Sequence, residues 1–577
     1  MALSREARFG PAARAHALER CASETFDVLV VGGGVTGCGA ALDAASRGLS
    51  VALVEKRDFA AGTSSRSSKL IHGGLRYLEN FDIELVREAL HERRYLVERI
   101  APHLVRPTPF LFPLKHRFWD RFYMGSGLFL YDALAGVHPA MPHHRHLTRR
   151  AVLRAVPAFR PDSLTGGIRY FDAQVDDARF SLVLARTAAA FGAVCISAAG
   201  VVEFLHERGR VAGVHIHDLE SGDEHDVRAT TVINATGVWT TEVERLAGVA
   251  NPMVVRPSKG VHLVVPKDRI DSQYALILRT EKSVLFVLPW GDRWIIGTTD
   301  TDWHYSLDHP AATRADVEYL LDHASEVLRE PLGLDDVIAV YVGLRPLLGG
   351  TAEETAKLSR KHAVRRSAPG FVSVAGGKYT TYRLMARDAV DLAARDLPFA
   401  VDSSRTADLP LLGAVGLPGA EFRLGSHPGA ADLEPGQLHH LIARYGTLAS
   451  EVLDMVAAAP GLAAPLVGAE RYLAAEICYA AAFEGALHVD DVLTRRTHIA
   501  FEVPDRGQLA VDDVARLMGG VLGWDQGVID RETAHYRARL EAEAAAQALL
   551  TDAASDSARA AVRDPRLEHL GERRENR

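Results

Sequence analysis

The stretch FDVLVVGGGVTGCGAALDAASRGLSVALVEKRDF, residues 26–59, leaves this chain few folds to choose from. A Val-rich run, a glycine turn, a small-residue apolar segment and a second Val-rich run follow within just over thirty residues. That is strand, turn, helix and strand, the βαβ unit of a dinucleotide-binding domain. Gly32, Gly34 and Gly37 stand in G-x-G-x-x-G spacing. The first permits the tight turn, the second lets backbone approach a pyrophosphate, and the third lets the helix pack on the strand. The helix N-terminus offers N–H donors and positive dipole potential to the phosphates. Glu55 ends the second strand 21 residues after Gly34, where a carboxylate accepts from a ribose hydroxyl. The glycines alone are a weak signal; with strand, helix and acid in place they are a strong one.

Two later turns bear on which dinucleotide binds. TTVINATG ends a strand at Ala235-Thr236-Gly237, and VSVAGGK ends one at Gly376-Gly377 before KYTTYR opens a helix. Each taken singly is as readily a plain left-handed cap. Together, after a nucleotide fingerprint, they favour FAD, a long molecule needing several backbone approaches, over NAD. A helix start facing the pyrimidine edge of a flavin favours the negative charge that builds there on reduction.

The chain has 577 residues, 47% of them hydrophobic, enough for two or three domains. Its net charge of -8 argues against a general nucleic-acid binder. Cys21, Cys38, Cys195 and Cys478 are scattered and read as reduced thiols, with no disulfide and no metal site. The expected fold is α/β: an FAD-binding domain of the two-dinucleotide-binding (Rossmann-type) class with an inserted β-rich substrate domain and a helical C-terminal domain. By residue, 1–24 is a polar leader, and 25–105, 150–255 and 335–397 form the discontinuous FAD domain. Residues 106–149 are a basic, aromatic, membrane-facing segment, 256–334 the substrate domain, 398–554 the helical domain, and 555–577 a disordered tail. Within these, Ile83, Val86, Leu90, Val97 and Ile100 mark one face of an amphipathic helix, and 284–300 reads as a hairpin turning at Gly291-Asp292.

The stretch SSKLIHGGLRYLEN, residues 67–80, sets Lys69, His72 and Arg76 around Gly73-Gly74, an arrangement suited to an anion. GTSSRSSKLIHGGLRYLE, INATGVW, KGVHLVVP, GLRPLL, AGGKYTTYR and HVDDVLTRRTHIAFE together resemble the FAD-dependent glycerol-3-phosphate dehydrogenases of the aerobic, respiratory type. The resemblance runs over residues 26–502. It implies oxidation of sn-glycerol 3-phosphate to dihydroxyacetone phosphate by hydride transfer to flavin N5, with electrons passed to a membrane quinone; a close relative passes them to oxygen. It also implies that Arg76, Tyr77, Arg345, Arg360 and Lys378 hold the substrate. By the same resemblance, Thr63, Ser64, Ser65, Ser68, Lys69, His72, Gly73, Gly74, Gly343, Gly377, Lys378 and Thr380 are expected to join Gly32, Gly34, Gly37, Glu55, Ala235 and Gly237 around the cofactor. The substrate is a phosphate dianion, for which Arg forks are the natural ligand.

The reaction needs a base within hydrogen-bond reach of the C2 hydroxyl. His262 is the first candidate and His72 the alternative, with Arg345 and Lys378 stabilising the developing alkoxide. Residues 113–150 hold six Lys or Arg and two Asp. Phe118, Trp119, Phe122, Tyr123, Phe129 and Tyr131 would dip into a bilayer interface while Lys115, Arg117 and Arg121 meet anionic head groups; the other reading is a buried helix. Residues 124–137 carry Asp132 and fall short of the ~18 apolar residues of a spanning helix. The expected place is therefore the cytoplasm, peripherally on the inner face of the plasma membrane, with a homodimer left open. The rival functions are a glycerophosphate oxidase, a glycine- or D-amino-acid-oxidase-like flavoenzyme, and a flavin sensor without turnover.

Overall fold

Two sheets lie side by side, and one chain passes repeatedly between them. The computed structural model describes residues 7–78, 82–116, 119–136, 141–280, 284–349, 361–564 and 566, apart from the side chains of Arg76 and Tyr77. In the first sheet Phe371–Gly376, Glu224–Asn234, Thr25–Val31, Val51–Val54 and Val194–Ile196 run parallel in that order, and His362–Ala368 closes one edge antiparallel. Parallel strands are buried on both faces, which is why they read as unbroken Val, Leu and Ile runs. Helices Val35–Ser46, Asp177–Ala190 and Tyr382–Ala393 cover one face. The hairpin Ala199–Glu207 and Arg210–Asp218 covers the other, together with helix Pro11–Ser23. Most of the leader expected over 1–24 is thus structural: Cys21 is buried, and Arg14 pairs with Asp218 at 2.6 Å.

Among the described residues the second sheet has ten strands. Thr301–Asp302, Val255–Pro266, Arg293–Gly297, Val284–Trp290, Ala275–Arg279, Val105–Leu114, Gly166–Val175 and Leu70–Ile71 follow in order, with Ala339–Leu348 and Arg145–Thr148 attached. The hairpin turns at Gly291 and Asp292. The sheet draws on more of the chain than 256–334: segments assigned to the FAD domain (166–175, 339–348) and to the membrane-facing stretch (106–114) are strands of it. The strand 105–114 carries three prolines, residues that a sheet interior seldom accepts. Pro107, Pro109 and Pro113 have the same parity, so their missing donors all face one side and the register to Gly166–Val175 is unbroken.

The C-terminal domain is helical, with Pro435–Tyr445, Ala449–Ala458, Ala474–Phe483, Val511–Leu522 and Gln526–Gln547 around two cores and one short hairpin. It does not give way to disorder at 555. Helix Asp552–Ala560 buries Ser555 and Arg559, and Asp564 and Arg566 are buried beyond it. Among the described residues no helix is long and apolar enough to cross a membrane.

Candidate active site

Glycine geometry builds the nucleotide end. Gly32 has φ +108°, and a Cβ there would lie 2.8 Å from the Ala235 carbonyl oxygen. A Cβ on Gly37 would lie 1.8 Å from the Gly32 oxygen, so helix, turn and the neighbouring strand end meet without side chains between them. Gly34 is the N-cap of Val35–Ser46 and has no side chain of its own to cap it. Such an end has N–H groups to offer an anion. The Val35 N–H donates to Ser64 Oγ at 2.9 Å, and Glu55 accepts from the Gly33 and Arg57 N–H groups at 2.6 and 2.8 Å. Thr63 Oγ1 donates to the Leu344 carbonyl at 2.6 Å. Across from this loop a Cβ on Gly343 would lie 2.4 Å from the Arg66 oxygen, so the loop runs tight against strand Ala339–Leu348. Gly237 has φ +61° and opens a short 3-10 turn. A helix start at a glycine, a cradle with no Cβ and a carboxylate at the second strand end fit an extended dinucleotide such as FAD.

Strand register builds the reacting face. Val255–Pro266 pairs antiparallel with Ala339–Leu348, Ser258 opposite Arg345 and His262 opposite Tyr341. Side chains two apart share a face, so Ser258, Gly260 and His262 lie beside Tyr341, Gly343 and Arg345. A Cβ on Gly260 would come within 2.8 Å of Arg345 Nη2; its absence lets the guanidinium lie back over the strand toward His262. Thr298 Oγ1 and the Thr299 carbonyl accept from Arg345 at 3.0 and 3.1 Å. His262 is buried, stacks on Tyr341 at 4.6 Å and shares a 2.8 Å hydrogen bond between Nε2 and Ser68 Oγ. Its Nδ1 has no hydrogen-bond partner among the described residues. Burial, then the charges of Arg345 and Lys69, holds its pKa well below the ordinary histidine value, so the ring is neutral at pH 7.

A third segment closes in. Gly376 and Gly377 both have φ +77°, and Lys378 leads into the turn Tyr379–Thr381. Thr380 Oγ1 accepts from the His72 N–H at 3.1 Å and donates to its carbonyl at 3.3 Å, joining this turn to the His72-Gly73-Gly74 loop. Gly73 N–H donates to the Tyr131 hydroxyl at 2.9 Å, and that hydroxyl donates to Asp172 at 2.6 Å.

Two expectations change here. Lys69, expected at the flavin or its phosphates, is fully buried and pairs with Asp177 at 2.5 Å, its ammonium among the rings of Trp290, Tyr341 and Phe501. It braces the loop from behind. Tyr131, expected in a bilayer, is 1% exposed and holds Gly73. Arg360 lies outside the described residues, as do Arg117 and Phe118. Arg76 and Tyr77 sit on the 3-10 turn Leu75–Leu78, their side chains outside the described residues. Sequence reading missed Asp177, Tyr341, Thr298 and the buried pair of Asp172 with Arg93 at 2.5 Å, which position the site through partners distant in the chain. Their nearest local signal was the VDD of residues 175–177, where a buried strand ends in two acids.

The fold and this arrangement define a flavin-dependent oxidoreductase. Residues 27–384 match the family model described as FAD dependent oxidoreductase, and 404–528 the one described as the C-terminal domain of alpha-glycerophosphate oxidase. The chain is 53% identical over 565 residues to glycerol-3-phosphate dehydrogenase 2 of Mycobacterium tuberculosis, covering 98% of this chain and 96% of the relative. It is 38% identical to the human mitochondrial glycerol-3-phosphate dehydrogenase, over 89% of this chain and 73% of that one. The crystal structure of the Bacillus halodurans glycerol-3-phosphate dehydrogenase complexed with FAD superposes with a TM-score of 0.75 at 28% identity, covering 93% and 97% of the two chains. This chain belongs to the FAD-dependent glycerol-3-phosphate dehydrogenase family, and its cofactor is FAD.

Proposed function

We propose that this protein oxidises sn-glycerol 3-phosphate to dihydroxyacetone phosphate and passes the electrons to a membrane quinone. The observation that carries the reading is the Arg345 guanidinium laid over Gly260 toward a neutral His262, with the Lys378 turn tied to the His72 loop. FAD, held by the Gly32, Gly34 and Gly37 cradle with Glu55, supplies when bound the two-electron acceptor for the C2 hydride at N5. Arg345 and Lys378, with Arg76, Tyr77 and Arg360, hold the phosphate and the C2 oxygen. Arg345 favours the alkoxide as the hydroxyl loses its proton. His262 is closed off from solvent, so the proton reaches Nε2 through the Ser68 hydroxyl, which gives up its own as it receives the substrate's.

Anaerobic mixing of the FAD-loaded protein with sn-glycerol 3-phosphate should bleach the flavin's visible absorbance, and glycerol should do so poorly. Bleaching by D-amino acids or glycine instead would replace this reading with an amino-acid oxidase. Reoxidation by a soluble quinone analogue faster than by air separates the quinone-linked enzyme from an oxidase.

The acceptor's location leads to a proposal about the helix Trp119–Ala135. It buries Met124, Gly125, Leu128 and Tyr131 and turns Trp119, Phe122 and Phe129 outward, each about 70% exposed at 71%, 72% and 70%. We infer that this face lies on the inner surface of the plasma membrane, with Lys115 beside it for anionic head groups. Trp119→Ser with Phe122→Ser should shift the protein from a vesicle pellet to the supernatant while flavin bleaching stays within a few-fold. Wild-type protein that never pellets with anionic vesicles would exclude the idea.

A further inference from the structure

A cavity of about 90 Å³, open in part to solvent, lies where the C-terminal domain meets the substrate sheet. Of the residues expected around cofactor and substrate, Ser65 alone lines it. Its charged wall is Arg66, Arg495, Arg506, Arg539, Arg559 and His309, with Glu543 as the lining carboxylate. A smaller recess continues it, sharing Arg539, Arg559 and His309.

The acids do not balance these arginines. Arg495 is taken up by Asp58 and Asp491, at 2.5 Å each. Glu543 is divided among Arg506 at 2.6 Å, Arg539 at 3.2 Å and Arg559 at 3.5 Å, and Arg539 also contacts Asp490. Arg66 is left over: its guanidinium makes no hydrogen bond or ion pair with another described residue. Burial, then Arg57, Arg539 and Arg495, pulls its pKa down to about 9. Arg559 is lowered to about 10, by burial first and by Arg539 and Arg506, with Glu543 opposing. His309 is held well below the ordinary histidine range by burial and by Arg559, Arg57, Arg66 and Arg539, so it stays neutral and adds no charge. Like charges gathered in a poorly solvated space are costly without a counter-ion. Guanidinium forks converging from separate elements suit a tetrahedral oxyanion better than a carboxylate, which one fork would satisfy.

We propose that this cavity, set off from the reacting face by Tyr341, is a second anion site that takes a phosphate-type dianion, as the free ion or as a small monoester. It sits behind the loop that carries the catalytic contacts. Ser64 on that loop holds the Val35 N–H and Ser68 holds His262, while Arg66 between them reaches the cavity. The bound anion neutralises Arg66 and ties the loop to helices Gln526–Gln547 and Asp552–Ala560.

The test uses FAD-loaded protein and inorganic phosphate at constant ionic strength, because exposed charge pairs respond to salt. Equilibrium dialysis should find saturable phosphate binding that Arg66→Gln and Arg559→Gln each weaken about tenfold or more, the loss of a charge-assisted bond. Arg516→Gln, on an exposed helix face, should leave it unchanged. Thermal melts add a readout of opposite sign: without phosphate Arg66→Gln should melt at or above wild type, since it removes an uncompensated charge. Phosphate should then raise the wild-type midpoint more than the variant's. If Arg66→Gln does not fold, Arg559→Gln decides. Displacement of the labelled ion by glycerol 2-phosphate assigns the site to monoesters, and failure to displace assigns it to the free ion. Absence of saturable binding, or binding that neither substitution weakens, overturns the proposal. Because the probe is phosphate and the readouts are binding and melting, the result is independent of which substrate the flavin oxidises.

Discussion

Exchanging His262 for asparagine is expected to lower kcat by about 10²–10⁴-fold, the usual size of a general-base contribution, with a smaller change in KM. Among the described residues the Ser68 hydroxyl is the one hydrogen-bond partner of the imidazole, at 2.8 Å, so Ser68→Ala should lose a similar factor although it leaves the ring and its stack on Tyr341 in place. FAD content and melting temperature check that neither variant has merely loosened the site. The pH profile gives a second signature. A base whose pKa is depressed stays unprotonated as pH falls, so kcat/KM should hold through pH 6.5 and decline only well below it. An acid limb at the ordinary histidine value, or both variants within a few-fold of wild type, would move the base to His72.

Gly37→Ala is expected to yield protein without FAD. Its Cβ would be 1.8 Å from the Gly32 oxygen, and that oxygen belongs to the turn that must cradle the pyrophosphate. Backbone cannot swing aside as a side-chain tip can, so either the helix Val35–Ser46 lifts from the strand or the turn opens. Overpacking of this kind costs about 1–3 kcal/mol or more, in addition to the lost cofactor. Gly34→Ala makes the comparison informative: among protein atoms its Cβ would meet Ser64 alone, Oγ at 3.1 Å, so the fold should stand and the loss should fall on FAD affinity, where the backbone approaches the pyrophosphate. Flavin absorbance per protein after gel filtration reads both. Gly37→Ala protein carrying full FAD would mean that the turn has been assigned the wrong role.

What could be read from the chain followed how far apart the interacting residues lie. The turn at residues 32–37, Glu55 and the Gly376-Gly377 turn were legible because strand, glycine and helix are neighbours in sequence and their periodicities change within a few residues. Lys69 was misread because its partner, Asp177, is 108 residues away, and a buried lysine looks the same in sequence as one aimed at a phosphate. Tyr131 sits on an aromatic helix most of whose rings face outward; only the fold turns this one inward onto Gly73. The Arg345 geometry depended on Gly260, a residue with no side chain to draw notice until its absence has a neighbour. Residues 106–114 were assigned to the membrane-facing stretch that they adjoin, and only the register to Gly166–Val175 makes them a strand.

The way Asp58 is held also says something about when this molecule can exist. Asp58 follows directly on the nucleotide-binding βαβ unit, yet the groups that neutralise it are Arg495 and Arg496, 437 and 438 residues later. Strand Phe371–Gly376 completes the parallel sheet only after the second sheet has been threaded through it. At ~5–20 residues per second, ribosomal synthesis leaves roughly 20 to 90 seconds between Asp58 and its partners. During that interval the earliest-made part of the chain carries an unpaired acid and an unfinished sheet edge. Such contact topology makes folding slow and concentrates the hazard in the nascent chain. Recovery in a heterologous host should therefore respond more to translation rate and chaperone supply than to stabilising substitutions in the finished fold.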